Sequence, residues 1–312
     1  MDNRKKAKIR IAIVGAGAMG SLFGGLLAET GAEVWLIDIW KEHVDAITEK
    51  GLLIEREGNT RSVQLKATTD PGQVGSVDLV IIFVKSNHTD AAARTADQLT
   101  DPDSIVLTLQ NGMGNAETIS EVIDPRRLVS GTTSHGATVL GPGKIRHAGT
   151  GPTVIGMWSG GDPDPARRIA DFFNTAGLET ATSEDIRSVV WGKLLINVGI
   201  NAITALTGIK NGQILDLEAT RELCRAAVAE AMAVARKQGI TVRADAVEHV
   251  LQVARATGPN RSSMGQDVDR QRQTEIGVIN AVIVREARKA GLDAPVNQTL
   301  TALIETLQAH YG

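Results

Sequence analysis

Lys193, Asn197 and Asn201 stand four residues apart in WGKLLINVGINAITAL, 191–206, an otherwise strongly apolar stretch. On a helix turning about 100° per residue they fall at about 0°, 40° and 80°, one contiguous stripe. Leu195, Ile196, Val198, Ile200 and Ile203 cover much of the remaining surface. Burying an unpaired ammonium or amide costs several kcal/mol, so the stripe needs partners or a ligand. A wetted helix face normally mixes acidic and basic residues, yet no Asp or Glu occurs between Lys193 and Leu215. Asparagines both donate and accept hydrogen bonds, which suits the wall of a polar ligand site. A satisfied contact between helices is the competing explanation.

A second stretch with chemical potential is PNRSSMGQDVDRQRQTEIGVINAVIV, 259–284. Ser263-x-x-Gln266 fits a capping box, and a hydroxyl at a helix start can also receive a substrate carboxylate. Glu275 opens an apolar helix expected over 275–290. There it serves either as a partner of the helix dipole or as a carboxylate that binds substrate.

Near the N-terminus, Gly15-Ala16-Gly17-Ala18-Met19-Gly20 spells G-x-G-x-x-G between a β-branched run, 9–14, and an apolar helical stretch ending at Glu29. In such a loop Gly15 permits the tight turn and Gly17 lets the backbone approach a pyrophosphate. Gly20 lets the helix pack closely on the strand, and the helix N-terminus faces the phosphates. A second strand, 33–37, ends in Asp38, where a carboxylate can accept from the adenosine ribose hydroxyls and repel a 2′-phosphate. That leans towards NADH, although nearby Lys41 is a cation within reach of a phosphate.

These residues require elements to hold them. VDLVIIFVK, 77–85, and SIVLTLQNGMGN, 104–115, are near-continuous apolar runs, as expected for strands covered on both faces. Ligands of open parallel sheets sit beyond the carboxyl ends of strands, which makes Lys85 and Asn111 candidates for cofactor contact; ordinary turn chemistry is the alternative. From 128 to 158 the texture becomes short β-like pieces rich in glycine. His135 and His147 lie there without metal-ligand neighbours, so they read as structural and no metal site is expected. A helix to about 176 and a short strand, 178–182, follow. Beyond about 184 helical periodicity takes over, with long helices over 218–239 and 243–258. The expected fold is therefore α/β: a Rossmann-type dinucleotide-binding domain, 1–183, followed by an all-helical domain, 184–312.

Bulk properties agree. The chain has 312 residues, 42% hydrophobic and 22% charged, which suits two ordinary globular domains. A net charge of -3 leaves no basic footprint for nucleic acid. The single cysteine, Cys224, excludes an internal disulfide framework and fits a reducing, cytoplasmic setting. Basic residues before the first apolar run superficially mimic a signal peptide, but the glycine spacing explains that run better, and no membrane partner is expected.

GAGAMG at 15–20, VKS at 84–86, LQNGMGN at 109–115, GTTSHGA at 131–137, WGKLLINVGINAITAL at 191–206 and SSM…TEIG at 262–277 occur in one order along the chain. Together they resemble the ketopantoate reductase (2-dehydropantoate 2-reductase) family over essentially its whole length. The resemblance implies reduction of a 2-oxo acid, ketopantoate, to pantoate on the route to pantothenate and coenzyme A. It also implies an active site between the two domains, and usually NADPH as reductant. It makes Lys193 the catalytic lysine and proton donor. Glu275 becomes the glutamate that holds the far substrate hydroxyl and borders the nicotinamide. Asn197, Asn201, Asn211, Asn260 and Ser263 would line the substrate pocket, and Lys85, Asn111 and the backbone around Ala137 would touch the cofactor. The chain departs from NADPH-using members after the second strand, where Asp38-Ile39-Trp40-Lys41 offers no arginine. The remaining alternatives are a reductase of other 2-oxo acids and a non-catalytic dinucleotide-binding redox sensor. A homodimer is compatible with the helical half.

Overall fold

The computed structural model describes residues 8–311. It divides into two compact units, one formed by residues up to 110 together with 115–186, the other by 111–114 together with 187 onwards.

In the first unit the strands are β1 (Arg10–Val14), β2 (Glu33–Ile37), β3 (Leu52–Arg56), β4 (Asn59–Val63), β5 (Lys66–Thr68) and β6 (Val77–Ile82). They continue with β7 (Thr100–Thr108), β8 (Leu128–Thr133), β9 (Gly136–Gly141), β10 (Lys144–Gly149), β11 (Thr153–Met157) and β12 (Thr180–Thr182). Helices α1 (Ala18–Glu29), α2 (Lys41–Lys50), α3 (Thr89–Gln98), α4 (Asn115–Ser120) and α5 (Asp164–Thr175) are interspersed among them.

Eight strands form the main sheet, in the order β12-β11-β8-β7-β6-β1-β2-β5. All neighbours are parallel except β8 and β11, which run antiparallel. Strand β1 shows why its sequence is apolar throughout. Ile11 and Ile13 join one core with Phe23 and Leu27 of α1, whereas Ala12 and Val14 join another with Ala93 and Ala96 of α3. Side chains alternate across a sheet, so a strand covered on both faces has no polar side to show. The chain leaves β1 for β2 and β5 on one side, then crosses to β6 on the other. The ends of β1 and β6 thus form a switch point, the usual ligand position in such sheets. A second sheet, β4-β3-β10-β9, draws two of its strands from the glycine-rich stretch after 135 and two from 52–63. The latter pair has no counterpart in the sequence reading.

The second unit contains α6 (Ile186–Thr207), α7 (Glu218–Lys237), α8 (Ala246–Ala256), α9 (Ser263–Asp269), α10 (Asn280–Ala290) and α11 (Pro295–Ala309). Residue Ile186, the first of α6, is counted with the other unit. By length and composition α6 is the one helix among the described residues apolar enough to cross a membrane. Its apolar side is instead core: Trp191, Leu194, Leu195, Val198 and Ile203 are all buried with residues of α7, α8, α10 and α11. Gly199 makes that packing possible, since a Cβ there would lie 2.7 Å from Val228, 2.8 Å from Val250 and 3.0 Å from Cys224.

The single helix expected over 275–290 is corrected by the structure. A 3-10 turn, Ile276–Val278, precedes α10, and Ile279 breaks the path between them. The Val278 carbonyl accepts instead from the Met113 amide at 2.9 Å, which docks the 111–114 segment at this break.

Candidate active site

In the first unit the glycine-rich loop joins β1 to α1. Gly15 has φ +100°, and a Cβ there would lie 2.7 Å from the Val84 amide nitrogen, so both backbone shape and space demand glycine. A Cβ on Gly20 would sit 1.9 Å from the Gly15 carbonyl oxygen. Gly17 is the opposite case: it caps α1, is exposed, and would direct a Cβ into open space. Ala16 is buried, while Ala18 and Met19 are half-buried in the first turn, which carries no acidic residue. An open backbone face at the positive end of a helix suits a pyrophosphate. The residues present therefore fit a dinucleotide.

Asp38, at the end of β2, is half-buried. One carboxylate oxygen accepts from the Ala16 amide at 2.6 Å and the other from the Trp40 amide at 3.0 Å. A carboxylate offers about four lone-pair positions, so two remain for a pair of ribose hydroxyls. Ile39, directly after Asp38, is 90% exposed. The Lys41 ammonium, the nearby cation of the sequence reading, is turned to Asp45 at 2.6 Å. At the end of β6, Lys85 is exposed in a loop held by Gln110, whose amide donates to the Val84 carbonyl at 2.8 Å and to Thr89 at 2.9 Å. Ala137 lies in β9, half-buried and in register with His147. His135 and His147 bond to each other through their rings at 3.3 Å.

In the second unit the polar stripe of α6 is present as one face. Lys193 and Asn197 are half-buried and Asn201 is buried. The amide side chains of Asn197 and Asn201 make no hydrogen bond to another of the described residues. Desolvation lowers the Lys193 ammonium to a pKa of about 8, against the opposing pull of the Glu275 carboxylate. Glu275 is half-buried just before the Ile276–Val278 turn, and the Asn111 amide donates to its carboxylate at 3.2 Å. The helical unit thereby groups an ammonium of lowered pKa, a carboxylate and three amides. An ammonium of that kind can hold a developing oxyanion and protonate it.

Two candidates sit differently from expectation. The N-cap of α9 is Ser262, whose hydroxyl accepts from the Gly265 amide at 3.0 Å; the expected Ser263–Gln266 capping box does not form, since N3 is Gly265 and Gln266 donates to the Arg261 carbonyl instead. Ser263 is the first helical residue, exposed, with its hydroxyl relieved of the capping task. Asn211 is tied to the segment after α8: its side-chain amide donates to the Thr257 hydroxyl at 3.0 Å, and its backbone N–H donates to the Asn260 carbonyl at 3.0 Å. Asn260 itself is exposed.

Sequence reasoning passed over Gln110, Ser21 and His43, which hold the loops beside the glycine-rich turn of the first unit. Gln110 lies inside the LQNGMGN motif, so its signal was at hand. Ser21 and His43 belong to no motif.

Known proteins resemble the chain along nearly its whole length. Residues 11–160 match the family Ketopantoate reductase PanE/ApbA, and residues 185–308 match Ketopantoate reductase PanE/ApbA C terminal. A 2-dehydropantoate 2-reductase of Halobacterium salinarum is 38% identical over 301 residues, covering 96% of this chain and 99% of the relative. The crystal structure of a PanE/ApbA family ketopantoate reductase from Ralstonia eutropha has a TM-score of 0.89 and 32% identity, over 96% of this chain and 99% of its own. A D-mandelate dehydrogenase solved with NADH and anilino(oxo)acetate has a TM-score of 0.90 and 29% identity, with the same coverage. With both halves of the chain matched and the relative aligned almost end to end, the chain belongs to the ketopantoate reductase family.

Proposed function

We propose that this oxidoreductase reduces 2-dehydropantoate to pantoate with NADH, using Lys193 as proton donor and Glu275 as the receptor of the far substrate hydroxyl. The observation that carries the reading is the pairing of a lysine ammonium of pKa about 8 with a nearby carboxylate on the helical unit. When bound, the nicotinamide supplies a hydride to the carbonyl carbon. As that bond forms, the carbonyl electron pair moves onto oxygen, and Lys193 stabilises the charge and delivers a proton to it. Glu275, oriented by Asn111, accepts from the substrate hydroxyl, which a simple 2-oxo acid lacks. Asn197, Asn201 and Ser263 supply further polar contacts, with Asn211 and Asn260 shaping the adjoining loop. Lys85 and the backbone at Ala137 are cofactor contacts of the first unit.

The choice of NADH rests on Asp38, on the exposed Ile39 in place of a cation, and on the ion pair that occupies Lys41. The D-mandelate dehydrogenase with this fold was solved with NADH, which supports the same choice. The test is a matrix of 2-oxo acids against both reductants, followed at the nicotinamide absorbance band. The highest kcat/KM is expected for 2-dehydropantoate with NADH. A much higher value with NADPH would overturn the cofactor assignment, and a clear preference for 2-oxo acids without a hydroxyl would overturn the role of Glu275.

A further inference from the structure

Ala16, the buried residue of the glycine-rich loop, is held at both of its peptide groups. Its amide donates to Asp38 at 2.6 Å, and its carbonyl accepts from the Ser21 hydroxyl at 2.7 Å. Ser21 is fully buried in α1 and lies 3.1 Å from Nε2 of His43, itself fully buried in α2. On the far side of the ring, Nδ1 accepts from the Gly143 amide at 3.0 Å, in the turn between β9 and β10. That turn approaches α2 closely, since a Cβ on Gly143 would lie 2.8 Å from Cβ of Ala46. The Trp40 indole stacks on the imidazole, with centroids 4.8 Å apart and planes 12° from parallel.

The donors and acceptors fix one arrangement. Gly143 can only donate, so Nδ1 carries no proton and Nε2–H must donate to Ser21. The Ser21 hydroxyl, having accepted, donates on to the Ala16 carbonyl. The ring is therefore neutral, in the Nε2–H form, and burial favours the neutral state while the nearby Asp38 carboxylate opposes it.

We propose that His43 and Ser21 are positioning residues for dinucleotide binding: a buried relay that runs from the β9–β10 turn to the Ala16 peptide and holds the glycine-rich loop in its binding shape. The relay ends one residue before Gly17, the open backbone face offered to a pyrophosphate, and Trp40 covers it beside Asp38. Neither side chain touches the ligand. Each acts through the peptide that does, and the cost of an unmade buried hydrogen bond gives the relay its leverage. The inference rests on the dinucleotide reading above.

The experiment measures the Kd for NADH, with NADPH in parallel, by isothermal titration calorimetry on the full chain. The proteins are wild type, Ser21→Ala, His43→Phe and His43→Gln, each checked for native melting. Ser21→Ala and His43→Phe are expected to weaken NADH by about tenfold. His43→Gln, whose amide can still donate to Ser21, should recover most of that loss. In steady state the KM for NADH should rise while the KM for the 2-oxo acid moves less than twofold. Imidazole nitrogen shifts of wild type should show His43 neutral with the proton on Nε2. Wild-type affinity in both Ser21→Ala and His43→Phe, or a proton on Nδ1, would overturn the relay. Should His43→Phe fail to fold, Ser21→Ala decides. A wild-type chain that binds neither dinucleotide would overturn the cofactor reading and the relay with it.

Discussion

At the scale of single residues the proposed reaction depends on one proton. Lys193 must be protonated to act as the acid in reduction, and its pKa of about 8 places the loss of that proton just above neutrality. The kcat/KM for reduction should hold below that value and then fall about tenfold per pH unit above it, whereas oxidation of the hydroxy acid should rise through the same range. Glu275 keeps this pKa from falling further, because its negative charge favours the ammonium. Glu275→Gln should therefore move the alkaline limb to lower pH, quite apart from any rise in KM. Initial rates between pH 6 and about 10 check both statements. A limb that stays in place or moves upward in the variant would show that Glu275 does not act on Lys193.

At the scale of elements the two glycines that bracket the helix start make opposite demands. Gly20 allows no Cβ because the Gly15 carbonyl oxygen occupies the place, so Gly20→Ala should distort the turn and lower stability as well as NADH affinity. Gly17 meets nothing, so Gly17→Ala should leave thermal unfolding nearly unchanged yet weaken NADH, since the added methyl enters the space a pyrophosphate needs. Melting curves and NADH titrations on both variants separate the two roles. Among the helices, Asn297 is the central knot. Its amide donates to the Ala227 carbonyl at 3.0 Å and to Glu230 at 2.7 Å, and it accepts from Asn280, which also holds the Val198 carbonyl of α6. Asn297→Ala strands these buried partners and should cost about 2–4 kcal/mol in urea unfolding. A loss below about 1 kcal/mol would mean that water replaces the amide without penalty.

At the scale of the whole molecule, the parts legible in the sequence were those with a local physical cause. Strand β2 and its terminal Asp38 follow from alternation and a breaker glycine, and the stripe of Lys193, Asn197 and Asn201 follows from helical period alone. The second sheet escaped because β4 is almost wholly exposed and polar and β3 pairs with β10 from far along the chain, a partnership no local pattern encodes. The break before α10 escaped for a similar reason: the Val278 carbonyl is claimed by Met113, more than a hundred residues earlier. Ser263 fits the capping pattern through Gln266, yet its neighbour takes the cap, because the Ser262 hydroxyl is the one that meets the Gly265 amide. The Lys193–Glu275 grouping became visible through resemblance to a family, since residues 82 positions apart share no period. Lys193 is proposed as the acid of a 2-dehydropantoate reductase. The direct measurement is turnover of 2-dehydropantoate with NADH by wild type and Lys193→Ala, alongside NADH binding by both. This role predicts robust wild-type turnover and a loss of about a thousandfold in Lys193→Ala, with NADH binding retained. Undiminished turnover in the variant, or none in a wild-type chain that binds NADH, would contradict it.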